Sequence, residues 1–264
     1  MRRFLLLDQG NTNLKVGLAD LGGVRASFTL PTALDETSDS LGLKLLALCQ
    51  TQGLNPGQAE LAVASSVVPP LDPLLRQALA RFLGVELKFV PTELPLDLEN
   101  RYERPHEVGA DRLAVCFAAR RLHPGPPLVV IDFGTATTFD CVSGQAYLGG
   151  LICPGLFSSL GALASRTAKL PRIGLDSGPV DLSIGQSTAE GLRQGFLFGF
   201  AAMAEGLIKR LSDHLGPGTR TVATGGFAEA VARHCPAIGE VRPDLLLEGL
   251  RLAALDHLDL KDRA

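Results

Sequence analysis

The stretch "VVIDFGTATTFD", Val129 to Asp140, sets an apolar run directly against an acid, a glycine and a row of hydroxyls. The same plan stands near the start of the chain in "FLLLDQGNTNLKVGL", Phe4 to Leu18, with the two acids about 124 residues apart. Each run reads as a strand buried on both faces and ending in Asp-x-Gly, then Thr. A carboxylate at a strand end points into the crevice above an α/β sheet, where ligands gather. The glycine lets backbone N–H groups approach an anion, and Asn or Thr adds side-chain donors. An acid beside a phosphate repels it unless a cation lies between them. One such turn is an ordinary loop as easily as a site; two, each after an apolar strand, predict two jaws on one polyphosphate. The expectation is specific: Asp8 and Asp132 face one another across an interdomain cleft.

The rest of the chain repeats at the same scale. Strands are predicted at Phe4–Leu7, Leu14–Ala19 and Val24–Leu30, the last two joined at Gly22-Gly23. A helix over Ser40–Gln52, the run "ELAVASSVVPPL", a helix over Leu74–Leu83 and the strand "VELKFVP" follow, with Pro69-Pro70 ending the run. Asp111–Leu122 has helical periodicity, and "HPGPP" at 123–127 is the clearest break. Strands then recur at Leu128–Asp132, Thr138–Val142 and Ala146–Ile152, with a later one at Thr221–Ala223; helices are predicted at Phe157–Ser165, Ser187–Leu215 and Leu245–Leu258. Two half-chains of this kind, 1–115 and 116–264, predict a duplicated α/β architecture.

Composition narrows the classes. With 46% apolar and 20% charged residues and a net charge of −3, the chain reads as a soluble globular protein with no electrostatic pull toward nucleic acid or an anionic membrane. Its N-terminal apolar run stops at Asp8 after four residues, too short for a signal core, and no stretch is long enough to span a bilayer. Five scattered cysteines without C-x-x-C read as reduced thiols of a cytoplasmic protein, and the five histidines offer no zinc pattern. No Walker loop and no dinucleotide fingerprint occurs.

The motifs taken together resemble one family. "DQGNTNLK" and "VVIDFGTATTFD" look like the two phosphate loops of the actin–hexokinase–acetate kinase superfamily. "ASSVVPPL", "HEVGADRLA", "GGLICPGL", "TAKLP", "GQSTAEGLRQG" and "TGGFAE" complete, in order, the series found in type III pantothenate kinases. Departures are small: Gln9 replaces an aliphatic and Arg104 a common Asn. The resemblance implies two ribonuclease H-like (actin-like ATPase) domains with a nucleotide cleft. It implies ATP-dependent phosphorylation of pantothenate to 4'-phosphopantothenate, the opening step of coenzyme A synthesis. A nucleotide-binding regulator of the same fold, or a kinase of another small alcohol, is the competing reading.

Phosphoryl transfer to an alcohol needs a carboxylate that accepts its proton. By resemblance that group is Asp111, although an Asp at a helix start is also an ordinary N-cap. Gly109, Ala110, Asp111 and Arg112 would line the pantothenate pocket, closed by Tyr102; Arg112 by itself reads equally as a surface arginine, and Tyr102 as a loop tyrosine. Asp8, Gln9, Gly10, Asn11, Thr12, Asn13, Leu14 and Lys15 would form the first ATP-binding jaw and Thr135 the second, while Lys15 is also a plausible strand lysine. Asp132, expected to be largely buried, would hold potassium or ammonium, with magnesium accompanying ATP. Thr188 looks like a helix cap with Glu190 completing the turn; by resemblance it is a pantothenate ligand reaching in from the second subunit of a homodimer. The apolar stretch 196–207 suits either a partner or an internal core.

Overall fold

The computed structural model describes residues 2–166, 174 and 181–263, so the "TAKLP" motif lies outside the described residues. The chain divides into two compact units, one made of Met1–Arg121 with Asp244–Ala264 and the other of Leu122–Pro243.

The first unit opens with β1 (Arg3–Gln9), β2 (Asn13–Asp20) and β3 (Gly23–Pro31), followed by α1 (Ser38–Thr51), β4 (Leu61–Ser66), α2 (Asp72–Leu83) and β5 (Leu87–Phe89). A two-residue strand, β6 (Glu99–Asn100), sits in the long excursion before α3 (Ala110–Leu122). The sheet order is β3-β2-β1-β4-β5, with β1 antiparallel to β2 and parallel to β4. Phe4 to Leu7 have no exposed surface, as a strand covered on both faces requires. Leu5 and Leu7 join Leu45, Leu75 and Leu79 of α1 and α2 in one core cluster. Leu6 points the other way, where Gly17 stands opposite it and Leu247 packs so tightly that a Cβ on Gly17 would meet its Cδ1 at 2.9 Å.

Leu247 belongs to α7 (Leu245–Arg263), which packs on β1, β2, β3 and β4. The first unit is therefore completed by the end of the sequence, which differs from the expected division into 1–115 and 116–264. Two physical reasons account for the difference. Residue 115 lies inside the unbroken helix α3, and the apolar face of α7 (Leu247, Leu250 and Ala254, all without exposed surface) covers the first sheet. Gly249 lets α7 approach α3, since a Cβ there would lie 2.3 Å from the Ala114 carbonyl oxygen.

The second unit contains β7 (Leu128–Phe133), β8 (Ala136–Ser143), β9 (Ala146–Pro154), α4 (Leu156–Arg166), α5 (Thr188–Leu215), β10 (Arg220–Thr224), α6 (Ala228–Ala232) and β11 (Glu240–Val241). Its strands run β9-β8-β7-β10-β11, which is the order of the first sheet repeated. Again the first three are antiparallel and the last two parallel. Val129, Ile131, Phe133 and Phe139 pack with Ala201, Ala204 and Ile208 of α5. The repeated sheet is the duplication predicted from the two strand–acid–glycine turns. All five cysteines are free thiols, four of them buried and Cys153 half-buried.

Candidate active site

The two turns are built alike. In the first, β1 and β2 close with Asp8 opposite Lys15 and Gln9 opposite Leu14, and Gly10 N–H donates to the Asn13 carbonyl at 3.0 Å. In the second, Asp132 stands opposite Thr138, and Gly134 N–H donates to the Ala136 carbonyl at 3.1 Å. Each glycine closes a narrow loop at the end of its strand. Asn11, Thr12 and Asn13 are exposed at the first tip and Thr135 at the second.

Not every residue expected at the first turn faces outward. The Leu14 side chain belongs to the core, and Gln9 is buried at 3% exposure. The Gln9 amide donates to Thr32 Oγ1 at 2.9 Å and to the Gly10 carbonyl at 3.3 Å, while Thr32 Oγ1 donates to that same carbonyl at 2.7 Å. Gln9 and Thr32 therefore brace the loop from behind. Thr32, 22 residues beyond Gly10, has no signal in the sequence before the hairpin register is known. Lys15 Nζ donates to Asp244 Oδ1 at 3.0 Å in a partly exposed pair, so it is more than a strand lysine in solvent.

Asp8 is half-buried, and Ser65 Oγ donates to its Oδ1 at 2.9 Å. Burial pushes its pKa up to about 7; the Ser65 bond and the Lys15 charge oppose that rise, and the negative charge of Asp111 adds to it. Two acids are thus within electrostatic reach of each other inside one unit.

Asp111 lies one residue inside α3, with Gly109 at the cap position, whose carbonyl accepts from Leu113 N–H at 3.3 Å. The N-cap alternative for Asp111 therefore fails. Its carboxylate curls back to accept from Arg112 N–H at 2.8 Å. Burial raises its pKa, against the pull of that N–H and of the Arg112 charge. Gly109 makes the space, because a Cβ there would lie 2.3 Å from Asp111 Oδ1 and 3.4 Å from Val67 Cγ1. Arg112 is half-buried rather than a solvated surface side chain. Gly109 and Ala110 line one end of a cleft of about 1210 Å³ between α2 and residues 89–108, whose wall also includes Ser66, Asp72, Arg76 and His106. Tyr102 is half-buried in a loop fixed by Asn100, whose Oδ1 accepts from Tyr102 N–H and whose Nδ2 donates to the Pro105 carbonyl, each at 3.0 Å.

In the second unit Asp132 is half-buried, short of the deep burial expected, with its Oδ1 out of reach of solvent. Glycines surround it: a Cβ on Gly225 would lie 2.3 Å from that oxygen, and one on Gly134 3.4 Å. Gly225 has φ +92, so the "TGGFAE" segment turns beside the acid in a conformation that favours glycine. Gly155 of "GGLICPGL" presses on the same loop, where a Cβ would meet the Thr135 carbonyl oxygen at 2.0 Å, and Ser158 Oγ donates to that oxygen at 2.7 Å. Thr188 is exposed at the first position of α5, but the cap is Ser187, whose Oγ accepts from Glu190 N–H at 3.2 Å. The capping expectation moves by one residue and leaves Thr188 outside the cap.

Among the described residues no group of three or more His, Cys, Asp or Glu side chains could hold a metal ion, and no helix is long and apolar enough to cross a membrane.

Comparison with known proteins agrees with this architecture. A glucokinase of the ROK family from Streptomyces griseus superposes with a TM-score of 0.55 at 16% identity, covering 96% of this chain and 99% of that one. A polyphosphate/ATP-glucomannokinase from Arthrobacter superposes with a TM-score of 0.51 at 14% identity, covering 97% and 100%. These likenesses place the chain in the two-domain, ribonuclease H-like fold. Type III pantothenate kinases from Nitratidesulfovibrio vulgaris and Oleidesulfovibrio alaskensis are each 56% identical to it, over 97% and 96% of this chain and 98% and 97% of the relatives. One from Rubrobacter xylanophilus is 41% identical over 94% of this chain. A family profile described as type III pantothenate kinase matches residues 4–210, and with these relatives spanning nearly its whole length, the chain belongs to that family.

Proposed function

We propose that this enzyme transfers the γ-phosphoryl group of ATP to the primary hydroxyl of pantothenate, giving 4'-phosphopantothenate and ADP, the first step of coenzyme A biosynthesis. The observation that carries the reading is the pair of acids, Asp8 on the glycine turn and Asp111 at the start of α3, held close enough for one charge to raise the other's pKa. Such a pair suits a reaction that brings a phosphate with its cation to one acid and a proton to the other.

Asp111 takes the proton of the attacking hydroxyl as its oxygen bonds to the γ-phosphorus and the bond to the leaving ADP oxygen breaks. Burial lifts this carboxylate toward neutrality, which makes it a stronger base than an ordinary Asp. Gly109 and Ala110 admit the substrate beside it, Arg112 offers donors to its polar groups, and Tyr102 closes the pocket. The tip residues Gly10 to Asn13 and Lys15 meet the phosphates from the first turn and Thr135 from the second. Gln9 and Leu14 serve from behind, as their buried side chains suggest.

Magnesium accompanying ATP would be held mainly by the substrate phosphates with Asp8 as its protein carboxylate, and would there neutralise phosphate charge, leaving Asp111 free for the proton. Asp132 is our candidate for the potassium or ammonium site. Its glycine surround leaves room that any side chain would fill. We also take the enzyme to be a cytoplasmic homodimer, in which Thr188 completes the pantothenate pocket of the other copy. A glycine groove along α5, formed by Gly191, Gly195 and Gly199 beside Phe196 and Phe200, supports that reading.

The test is an assay of purified protein with ATP, magnesium and a panel of small alcohols, in potassium and then in sodium, with products identified by mass and the oligomer sized by gel filtration. Phosphopantothenate, a potassium requirement and a dimer are expected. Phosphorylation of a different alcohol would overturn the substrate. Indifference to the cation would overturn the role of Asp132, and an active monomer would overturn the shared site.

A further inference from the structure

β4 ends in two adjacent serines that point to opposite sides of the strand. Ser65 stands opposite Asp8 in the parallel register, has no exposed surface, and donates through Oγ to Asp8 Oδ1 at 2.9 Å. Ser66 donates to Asp72 Oδ1 at 2.5 Å and accepts from Val68 N–H at 3.2 Å. Between these two bonds, Val67 N–H donates to the Gln9 carbonyl at 3.0 Å, and the Val67 side chain borders the space beside Gly109 into which Asp111 turns. Three consecutive residues, Ser65 to Val67, thus touch the first turn, the start of α2 and the neighbourhood of both acids.

A buried hydroxyl costs free energy unless it is hydrogen-bonded, and the same strand uses Ala at 62 and 64, where only small volume is needed. The hydroxyl at 65 is therefore explained by its partner. Engaging Oδ1 leaves Oδ2 as the oxygen that Asp8 can present outward. An Asp8 free to rotate would spread its charge over orientations that a cation and a triphosphate cannot both use.

We propose that Ser65 is a positioning residue of the phosphotransfer site, fixing the Asp8 carboxylate in the orientation that receives the magnesium–nucleotide. The inference rests on the reading of Asp8 given above. Ser65 acts only through Asp8, and that separates it from a residue that merely fills the core.

The experiment measures binding of magnesium with a non-hydrolysable ATP analogue by calorimetry, with and without chelator, in the wild-type chain, Ser65→Ala, Asp8→Asn and the double variant. A hydrogen bond to a charged group predicts that Ser65→Ala weakens magnesium-dependent binding about tenfold or more. It also predicts a KM for pantothenate within about twofold of wild type, and Ser65→Thr, which keeps the hydroxyl, restores binding. In the Asp8→Asn background the second substitution adds nothing. Binding by Ser65→Ala within twofold of wild type would overturn the proposal, as would an equal loss in the Asp8→Asn background or without magnesium. Should the alanine variant unfold, Ser65→Cys, close in volume and a poor donor, gives the same comparison. A wild-type chain that binds no magnesium–nucleotide would instead refute the functional reading beneath it.

Discussion

Replacing Gly109 by Ala moves the proposed base without removing it. The new Cβ would lie 2.3 Å from Asp111 Oδ1, where real contacts essentially never fall below 3.0 Å, so the carboxylate must retreat by roughly 0.7 Å. Val67 Cγ1, 3.4 Å away on another side, limits how far the Cβ itself can yield. The retreat strains the 2.8 Å bond from Arg112 N–H that holds the carboxylate. Gly109 lies outside the left-handed region, so the backbone accepts alanine and the fold should be spared. A displacement near 1 Å at a reacting group costs on the order of 100-fold, so kcat should fall about 30- to 100-fold with KM for ATP little changed. Asp111→Asn, which cannot take the proton, should cost about 100- to 10,000-fold. Steady-state kinetics following ADP release, together with a melting curve for each variant, make the comparison. A Gly109→Ala enzyme that melts like wild type and keeps kcat within about threefold would refute the claim that this carboxylate's position governs the chemistry.

Two further outcomes are expected. Asp8 holds its proton up to about pH 7 in the folded chain, while the unfolded chain releases it near 3.8; the stability this gives is full below the ordinary carboxylate range and is lost as pH rises through about 7. The melting temperature of ligand-free protein should therefore drop between about pH 4 and pH 7, Asp8→Asn should flatten that slope, and a flat wild-type profile would contradict the burial of this acid. Gly225→Ala forces a positive φ on alanine and sets its Cβ 2.6 Å from the Phe133 carbonyl carbon; it should destabilise the second unit by about 1–3 kcal/mol and raise the potassium concentration needed for activity, and a variant with unchanged melting and cation response would discount the glycine cradle.

The two Asp-x-Gly turns were legible because apolar strands and turn residues have local signatures, and the repeated sheet order follows from them. What escaped was non-local. Ser65 looks like any small residue at a strand end until the parallel register sets it beside Asp8. Thr32 braces Gly10 only because the hairpin folds β3 back alongside β2. Leu14 follows the loop motif in sequence, yet strand alternation turns it into the core. Ser187 and Thr188 are both good capping residues, so choosing between them needed the backbone of α5 itself. Gly225 stood in a recognised motif with no assigned task, and its closeness to Asp132 depends on β10 lying parallel to β7.

The placement of α7 carries a consequence for how the polypeptide is made. The second unit is one continuous stretch, so it can condense as soon as residue 243 has left the ribosome. The first unit begins earlier but waits longer, because the face of its sheet bearing Leu6 and Gly17 stays uncovered until the final helix emerges. Strands β1 to β4 thus remain an incomplete layer until α7 has been made. A ribosome stalled before α7 would hold a finished second unit beside a first unit with greasy surface still open to chaperones.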